Sequence, residues 1–238
     1  MVNFKNTLVI IPARGGSKRI PKKNIKLING SPMISWPLAE LKKIFKPHQI
    51  IVSTDDYEIK AIVESHGLKI PFLRPEKLSD DYTGTMEVAS HALDWYENNI
   101  SKVDHVLIVY PTAVLLSNKD LKLAFRMLEE DQNCDGVFSA CNFPFPIQRA
   151  MHKQENGYAR MIDPSYYLER SQDLPETFHD AGQFYWYTAK AVKEVLNINN
   201  TNIKALKLHR NKVIDIDTPE DFDVAEQMLK FFVDESLS

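Results

Sequence analysis

No apolar run in the 238 residues approaches the roughly 20 needed to cross a bilayer, so a membrane partner is not expected. The N-terminus also lacks the charged-then-apolar layout of a signal peptide, and a cytoplasmic location is the expectation. Cysteine is scarce: Cys134 and Cys141 make neither a disulfide framework nor a zinc site, and they sit in and just after an apolar run where thiols act as small hydrophobes. Two phosphate-binding motifs are missing, the Walker G-x-x-x-x-G-K-[ST] and the Rossmann G-x-G-x-x-G. Neither sign of charge dominates. With 29 Lys and Arg against 32 Asp and Glu the net charge is -3, and the isoelectric point of about 6.2 is not that of a basic nucleic-acid domain.

Against that near-neutral background one stretch stands out, Leu8 to Asn24, LVIIPARGGSKRIPKKN. The apolar, β-branched run Leu8 to Ile11 has the length of a buried strand, and it feeds a Pro-Ala-Arg-Gly-Gly turn. Arg14, Lys18, Arg19, Lys22 and Lys23 then crowd one loop. An anion site is the sharp interpretation, with Gly15 and Gly16 at positive φ adding main-chain N–H groups to a phosphate nest. A solvated surface or a nucleic-acid patch is the plain alternative.

The rest alternates between strand and helix patterns. Ser31-Pro32 reads as an N-cap and first helical position before Trp36, Leu38, Leu41 and Ile44. Gln49 to Ser53 is a strand, with Thr54 as cap of a helix carrying Ile59, Ile62 and Val63 and ending near Gly67. Further helices are predicted over Thr85 to Tyr96 and Asn118 to Glu130, and strands over Val103 to Tyr110 and Gly136 to Ala140. The expected fold is α/β, an open, mostly parallel doubly wound sheet in a single domain covering 1–238. From about 142 to 177 the alternation fails, and an extension with strands of its own is expected. Tyr110-Pro-Thr-Ala leaves the carboxyl end of a parallel strand, where such sheets bind ligands. Near the end, Asp215 and Asp217 sit two residues apart in a predicted strand, on one face about 6.6 Å apart, a spacing that suits magnesium. Thr218-Pro-Glu-Asp opens a last helix with Phe222, Ala225 and Leu229.

IPARGGSKRIPKKNI resembles the signature loop of the acylneuraminate cytidylyltransferases, enzymes that join cytidine monophosphate to sialic acid and related nine-carbon keto-sugar acids. That resemblance implies a Rossmann-like nucleotidyltransferase whose loop grips the triphosphate of CTP. Arg14 and Lys18 would hold phosphates, Ser17 would support them, and Lys23 and Asn24 would lie towards the nucleotide. An Arg-Pro-x-x-Leu match makes Arg74 and Thr85 nucleotide contacts, with Asp81 organising the loop. At Asp215 and Asp217 the family places its metal, here magnesium. Arg14, Lys18, Asp215 and Asp217 are thus the implied catalytic set, and phosphate electrostatics their implied work.

The sugar side departs from the family's usual pattern. Tyr110, Ala113 and Val114 replace parts of Gln-Pro-Thr-Ser-Pro, and the stretch from His179 to Trp186 looks like the pseudaminic acid branch. By that likeness Tyr110, Thr112, Arg170, His179, Gln183, Phe184 and Tyr185 contact the sugar acid, with Phe184, Tyr185 and Trp186 walling its acetamido groups. His179 or a metal-lowered hydroxyl pKa would provide the base. The implied reaction is CTP plus pseudaminic acid to the CMP-sugar and pyrophosphate. Legionaminic and N-acetylneuraminic acid are alternative acceptors, and a catalytically silent nucleotide-binding protein or a nucleic-acid module are alternatives of another class. A homodimer is also implied, through the extension, with Phe143, Phe145, Ile147 and Met151 at its interface.

Overall fold

The run Leu8-Val9-Ile10-Ile11 becomes β1 (Thr7–Pro12), and its two-residue alternation serves two cores at once. Leu8 and Ile10 pack with Ala89, Leu93 and Tyr96 of α3 (Thr85–Asn99) and with Ala189 and Val192 of α5 (Ala189–Lys193). Val9 and Ile11 pack with Leu38 of α1 (Ser35–Leu41), Val63 of α2 (Tyr57–Ser65) and Phe125 of α4 (Asn118–Glu129). A strand buried on both faces needs helices on both, and that sets the layers. The computed structural model describes residues 3–196 and 201–237. Among them no helix is long and apolar enough to cross a membrane.

Six strands form the main sheet. β4 (Ile50–Ser53) lies at one edge, then β1, β5 (His105–Val109), β9 (Phe178–Thr188), β6 (Gly136–Asn142) and β10 (Ile203–Lys207) at the other. β1 runs parallel to β4 and β5, and β10 parallel to β6; β9 alone is antiparallel to its neighbours. The sheet is therefore open and mostly parallel. Its one reversed strand begins where β5 and β6 end, since Asn142 pairs with Phe178 and Val109 with Phe184. Residues entering β9 consequently share the carboxyl end of the sheet with the loops after β1, β4 and β5.

Several local expectations are corrected. Ser31-Pro32 is not a helix start but a short strand, β3, paired with β2 (Leu27–Ile28). The cause is Asn29-Gly30, whose φ values of 47° and 78° make the two-residue turn that right-handed strand twist favours. The cap of α2 is Asp56, not Thr54: its Oδ1 accepts from the N–H groups of Glu58 and Ile59 at 2.7 and 3.0 Å. Residues 213–217 belong to no strand, so strand geometry does not hold Asp215 and Asp217 on one face. By contrast Thr218 caps α6 (Pro219–Leu237) reciprocally, exchanging bonds with Asp221.

Between β6 and β9 the chain leaves the sheet and makes a separate antiparallel pair, β7 (Met151–Lys153) with β8 (Ala159–Met161). Large apolar side chains stand open on this segment, among them Phe145, Met151, Ile162, Tyr167 and Leu168.

Candidate active site

The carboxyl ends of β1 and β5 line a cleft of about 540 Å³. From β1 comes the cationic loop. Its first residue after the strand, Ala13, extends the ladder by donating to the Ser53 carbonyl at 2.9 Å, and Gly15 N–H donates to Asp55 Oδ1 at 2.9 Å. A Cβ on Gly15 would lie 2.6 Å from Asp56 Oδ2, so only glycine lets the loop rest on the turn before α2. Neither Gly15 nor Gly16 has a positive φ, and the Ser17 N–H is spent on the Gly15 carbonyl. The expected left-handed backbone nest is therefore corrected: close approach, not handedness, explains the glycine, and the positive charge comes from side chains.

Those side chains are already matched with acids. Arg14 Nη1 donates to the Asp80 carbonyl and pairs with Asp81 Oδ1 at 2.8 Å, and Lys18 pairs with the other oxygen of Asp81. The Lys18 bond, then Arg14, hold the Asp81 carboxyl below the usual range. Asp81 thus marks where an anion is stabilised. Across the cleft Lys23 Nζ donates to the Ile216 carbonyl at 2.7 Å and to Asp217 Oδ1 at 3.1 Å, while Arg19 pairs with Asp217 Oδ2 at 2.8 Å. Asn24 is buried and donates to the Arg14 carbonyl at 2.9 Å, bracing the loop from below.

Arg74 is buried too, with Nε on Ser53 Oγ at 3.1 Å and Nη2 on the Ser53 carbonyl at 2.5 Å. Burial, with a smaller push from Arg14, lowers its pKa to about 10, so it stays cationic at neutral pH. Thr85 opens α3 and its Oγ1 lies 3.1 Å from the Tyr110 hydroxyl. Arg14, Ser17, Lys18, Lys23, Asn24, Arg74, Thr85, Tyr110, Thr112 and Asp217 all line the one cleft.

The remaining expected residues do not line it. Asp215 lies beside Gly182, where a Cβ would stand 3.7 Å from its carboxylate. Desolvation and then the Asp217 carboxylate push its carboxyl above the usual range. The residue keeps an exposed surface, so the like charge is the firmer cause. A carboxylate raised by a second one beside it offers a divalent cation what it needs. Among the described residues no group of three or more His, Cys, Asp or Glu is gathered for a metal, so this pair would have to share a cation with waters or phosphate oxygens.

Phe184 and Trp186 are wholly buried, Trp186 donating from Nε1 to the Leu121 carbonyl at 3.1 Å. They are core, which corrects their expected place in a sugar wall. β9 is covered on both faces, so its aromatic run serves packing. Gln183 is also buried, its Nε2 donating to the Lys212 carbonyl at 2.5 Å, which occupies one of its two amide hydrogens. Arg170 stands exposed on the extension, paired with Asp173 at 2.6 Å. His179 turns Nδ1 to the Asp180 carbonyl at 2.8 Å and packs on Phe143, so no base is identified in the cleft. Tyr185 reaches Asp180 Oδ2 at 2.7 Å and faces Tyr110. Sequence reasoning missed Arg19 as an Asp217 partner, Asp55 under Gly15, and Asp180. Arg19 was in the cation run; no local pattern marks the two acids.

A family model described as Cytidylyltransferase matches residues 8–234. The chain is 40% identical over 223 residues to a protein of Campylobacter jejuni subsp. jejuni serotype O:2 named Pseudaminic acid cytidylyltransferase, covering 94% of this chain and 96% of that one. A Helicobacter pylori protein, named Pseudaminic acid cytidylyltransferase and UDP-2,4-diacetamido-2,4,6-trideoxy-beta-L-altropyranose hydrolase, is 33% identical over 94% of this chain and 43% of its own length. A solved CMP:2-keto-3-deoxy-manno-octonic acid synthetase complexed with CTP superposes with a TM-score of 0.71 at 15% identity, over 95% of this chain and 99% of that one.

Proposed function

The chain belongs to the cytidylyltransferase family, and from that premise we propose that it is a cytoplasmic, magnesium-dependent enzyme that transfers CMP from CTP to pseudaminic acid. The observation that carries the chemistry is the meeting of the cationic loop with Asp217 across one cleft, through Lys23 and Arg19. The likeness to the Campylobacter protein supports the choice of sugar acid.

In the transfer the anomeric hydroxyl oxygen of the acid bonds to the α-phosphorus of CTP as its proton passes to water, the bond from that phosphorus to the bridging oxygen breaks, and pyrophosphate leaves with the electron pair. Arg14 and Lys18 exchange the Asp81 carboxylate for phosphate oxygens and balance charge as it moves to the leaving group. Arg74, fixed by Ser53, and Thr85 orient the nucleotide; Tyr110 and Thr112 orient the acceptor. Asp215 and Asp217 would hold the magnesium ion, which supplies Lewis-acid neutralisation of phosphate charge when bound.

The test incubates enzyme, CTP and magnesium with pseudaminic, legionaminic or N-acetylneuraminic acid separately, and reads pyrophosphate release and product mass. Pseudaminic acid is expected to give the highest kcat/KM, with activity lost on chelation and restored by magnesium. A preference for another acid overturns the substrate assignment, and CTP binding without turnover on any acid overturns the enzyme.

The chain is further proposed to form a homodimer through the extension, where Phe145 is 79% and Leu168 88% exposed. Light scattering is expected to give twice the 27.4 kDa chain mass, and Leu168→Asp to shift it towards one. A monomeric parent protein at micromolar concentration would rule this out.

A further inference from the structure

Two walls of the cleft are fastened to one short turn, Ser53 to Asp56. From the β1 side the Ala13 N–H donates to the Ser53 carbonyl and the Gly15 N–H to Asp55 Oδ1, each at 2.9 Å. From the other side the Arg74 N–H donates to the Thr54 carbonyl at 2.7 Å, and its guanidinium donates to Ser53 Oγ at 3.1 Å and to the Ser53 carbonyl at 2.5 Å. A carbonyl oxygen has two lone pairs, and that of Ser53 serves both walls. The loop carrying Arg14 and Lys18 is thus held in register with the buried Arg74 by one turn.

Of the two acids in this turn, the fold accounts for one. Asp56 Oδ1 caps α2 through the N–H groups of Glu58 and Ile59. Asp55 takes no part in that cap and does not line the cleft, so neither helix capping nor contact with a nucleotide explains it. Its described hydrogen bond is the one from Gly15. Its charge also opposes the fall in pKa that burial causes at Arg74, which places the carboxylate near both walls. The approach at Gly15 leaves no slack. An added Cβ would stand 2.6 Å from Asp56 Oδ2 and 2.9 Å from Asp56 Cβ, so the root of the capping side chain is in the way as well as its tip.

We propose that Asp55 is a positioning residue for the nucleotide: by accepting the Gly15 N–H it seats the cationic loop on the turn that also holds Arg74, so that both walls meet one CTP at once. The proposal rests on the cleft being the CTP site. A loop seated before its ligand arrives spends less binding energy on ordering. Asn24 holds the same loop through the Arg14 carbonyl, so losing Asp55 loosens the loop without detaching it, and a shift in affinity is expected rather than its abolition.

Calorimetric titration with CTP and magnesium reads the effect without turnover. Asp55→Ala is expected to raise the Kd for CTP on the order of ten-fold, with the KM for the sugar acid at saturating CTP within about two-fold. Asp55→Asn keeps an oxygen for Gly15 and should hold the Kd within about three-fold of the parent value. Gly15→Ala lifts the loop from the turn by a different route and should match Asp55→Ala, with no further rise in the double variant. Melting temperatures are read alongside, so that a fold defect in one variant leaves the other to decide. An unchanged CTP Kd in both single Ala variants, rises that simply add, or an Asn variant as weak as the Ala one overturns the inference. A parent protein that binds CTP but turns over no acid overturns the enzyme assignment and leaves this inference to be decided by the Kd values; one that binds no CTP overturns both.

Discussion

Asp217→Ala is expected to lower kcat on the order of a hundred- to a thousand-fold, about 3 to 4 kcal/mol of barrier. Its carboxylate is where the two ends of the site meet: Oδ1 takes Lys23 and Oδ2 takes Arg19. Deleting it leaves two cations unopposed beside the implied phosphate path and removes one of the two carboxylates available to magnesium. The pairs are partly exposed, 33% at Asp217 and 66% at Arg19, so each contributes under about 1 kcal/mol to stability. A small change in melting temperature with a large loss of pyrophosphate release is therefore the signature sought. Turnover near that of the parent protein would remove Asp217 from the machinery.

Lys18→Ala should produce a loss of the same order for a different reason. Its side chain is 80% exposed and its only described partner is Asp81, so the fold gives little reason for a cation there. What it offers is a mobile positive charge at the mouth of the cleft, aimed where Asp81 marks an anion site. Its removal withdraws stabilisation from the departing pyrophosphate. Steady-state kinetics with CTP as the varied substrate should show kcat falling about a hundred-fold or more, with unfolding by heat unchanged. A variant that merely needed more CTP would assign Lys18 to binding alone.

Much of this arrangement was legible before any coordinates. A continuous β-branched run can be buried on both faces, and β1 is; the capping sequence at Thr218 carries its own hydrogen-bonding partners, and α6 starts there. The density of cations after β1 was a local signal of a local charge. What failed depended on partners far away or on a stronger neighbouring signal. Asn29-Gly30 outweighed the helical look of Ser31-Pro32. Two acids competed with Thr54, and the one able to reach two N–H groups became the cap. Phe184 and Trp186 looked like a ligand wall because an aromatic run has no inherent inside; only the insertion of β9 between β5 and β6 decides that they are core. The same insertion brings Tyr185 against Tyr110, a contact that periodicity does not encode.

The bond from Lys23 to the Ile216 carbonyl and the Asp217 carboxylate spans 193 and 194 positions, and Ile20 of the same loop is buried with Phe222, Ala225 and Leu229 of α6. A growing polypeptide emerging from the ribosome can complete most of its sheet while this loop still has no acidic counterpart and no helix to rest on. Closing so long a span is entropically slow and comes late. Catalytic competence is thus withheld until the final helix docks, and a prematurely stopped chain would carry the cations without a finished cleft.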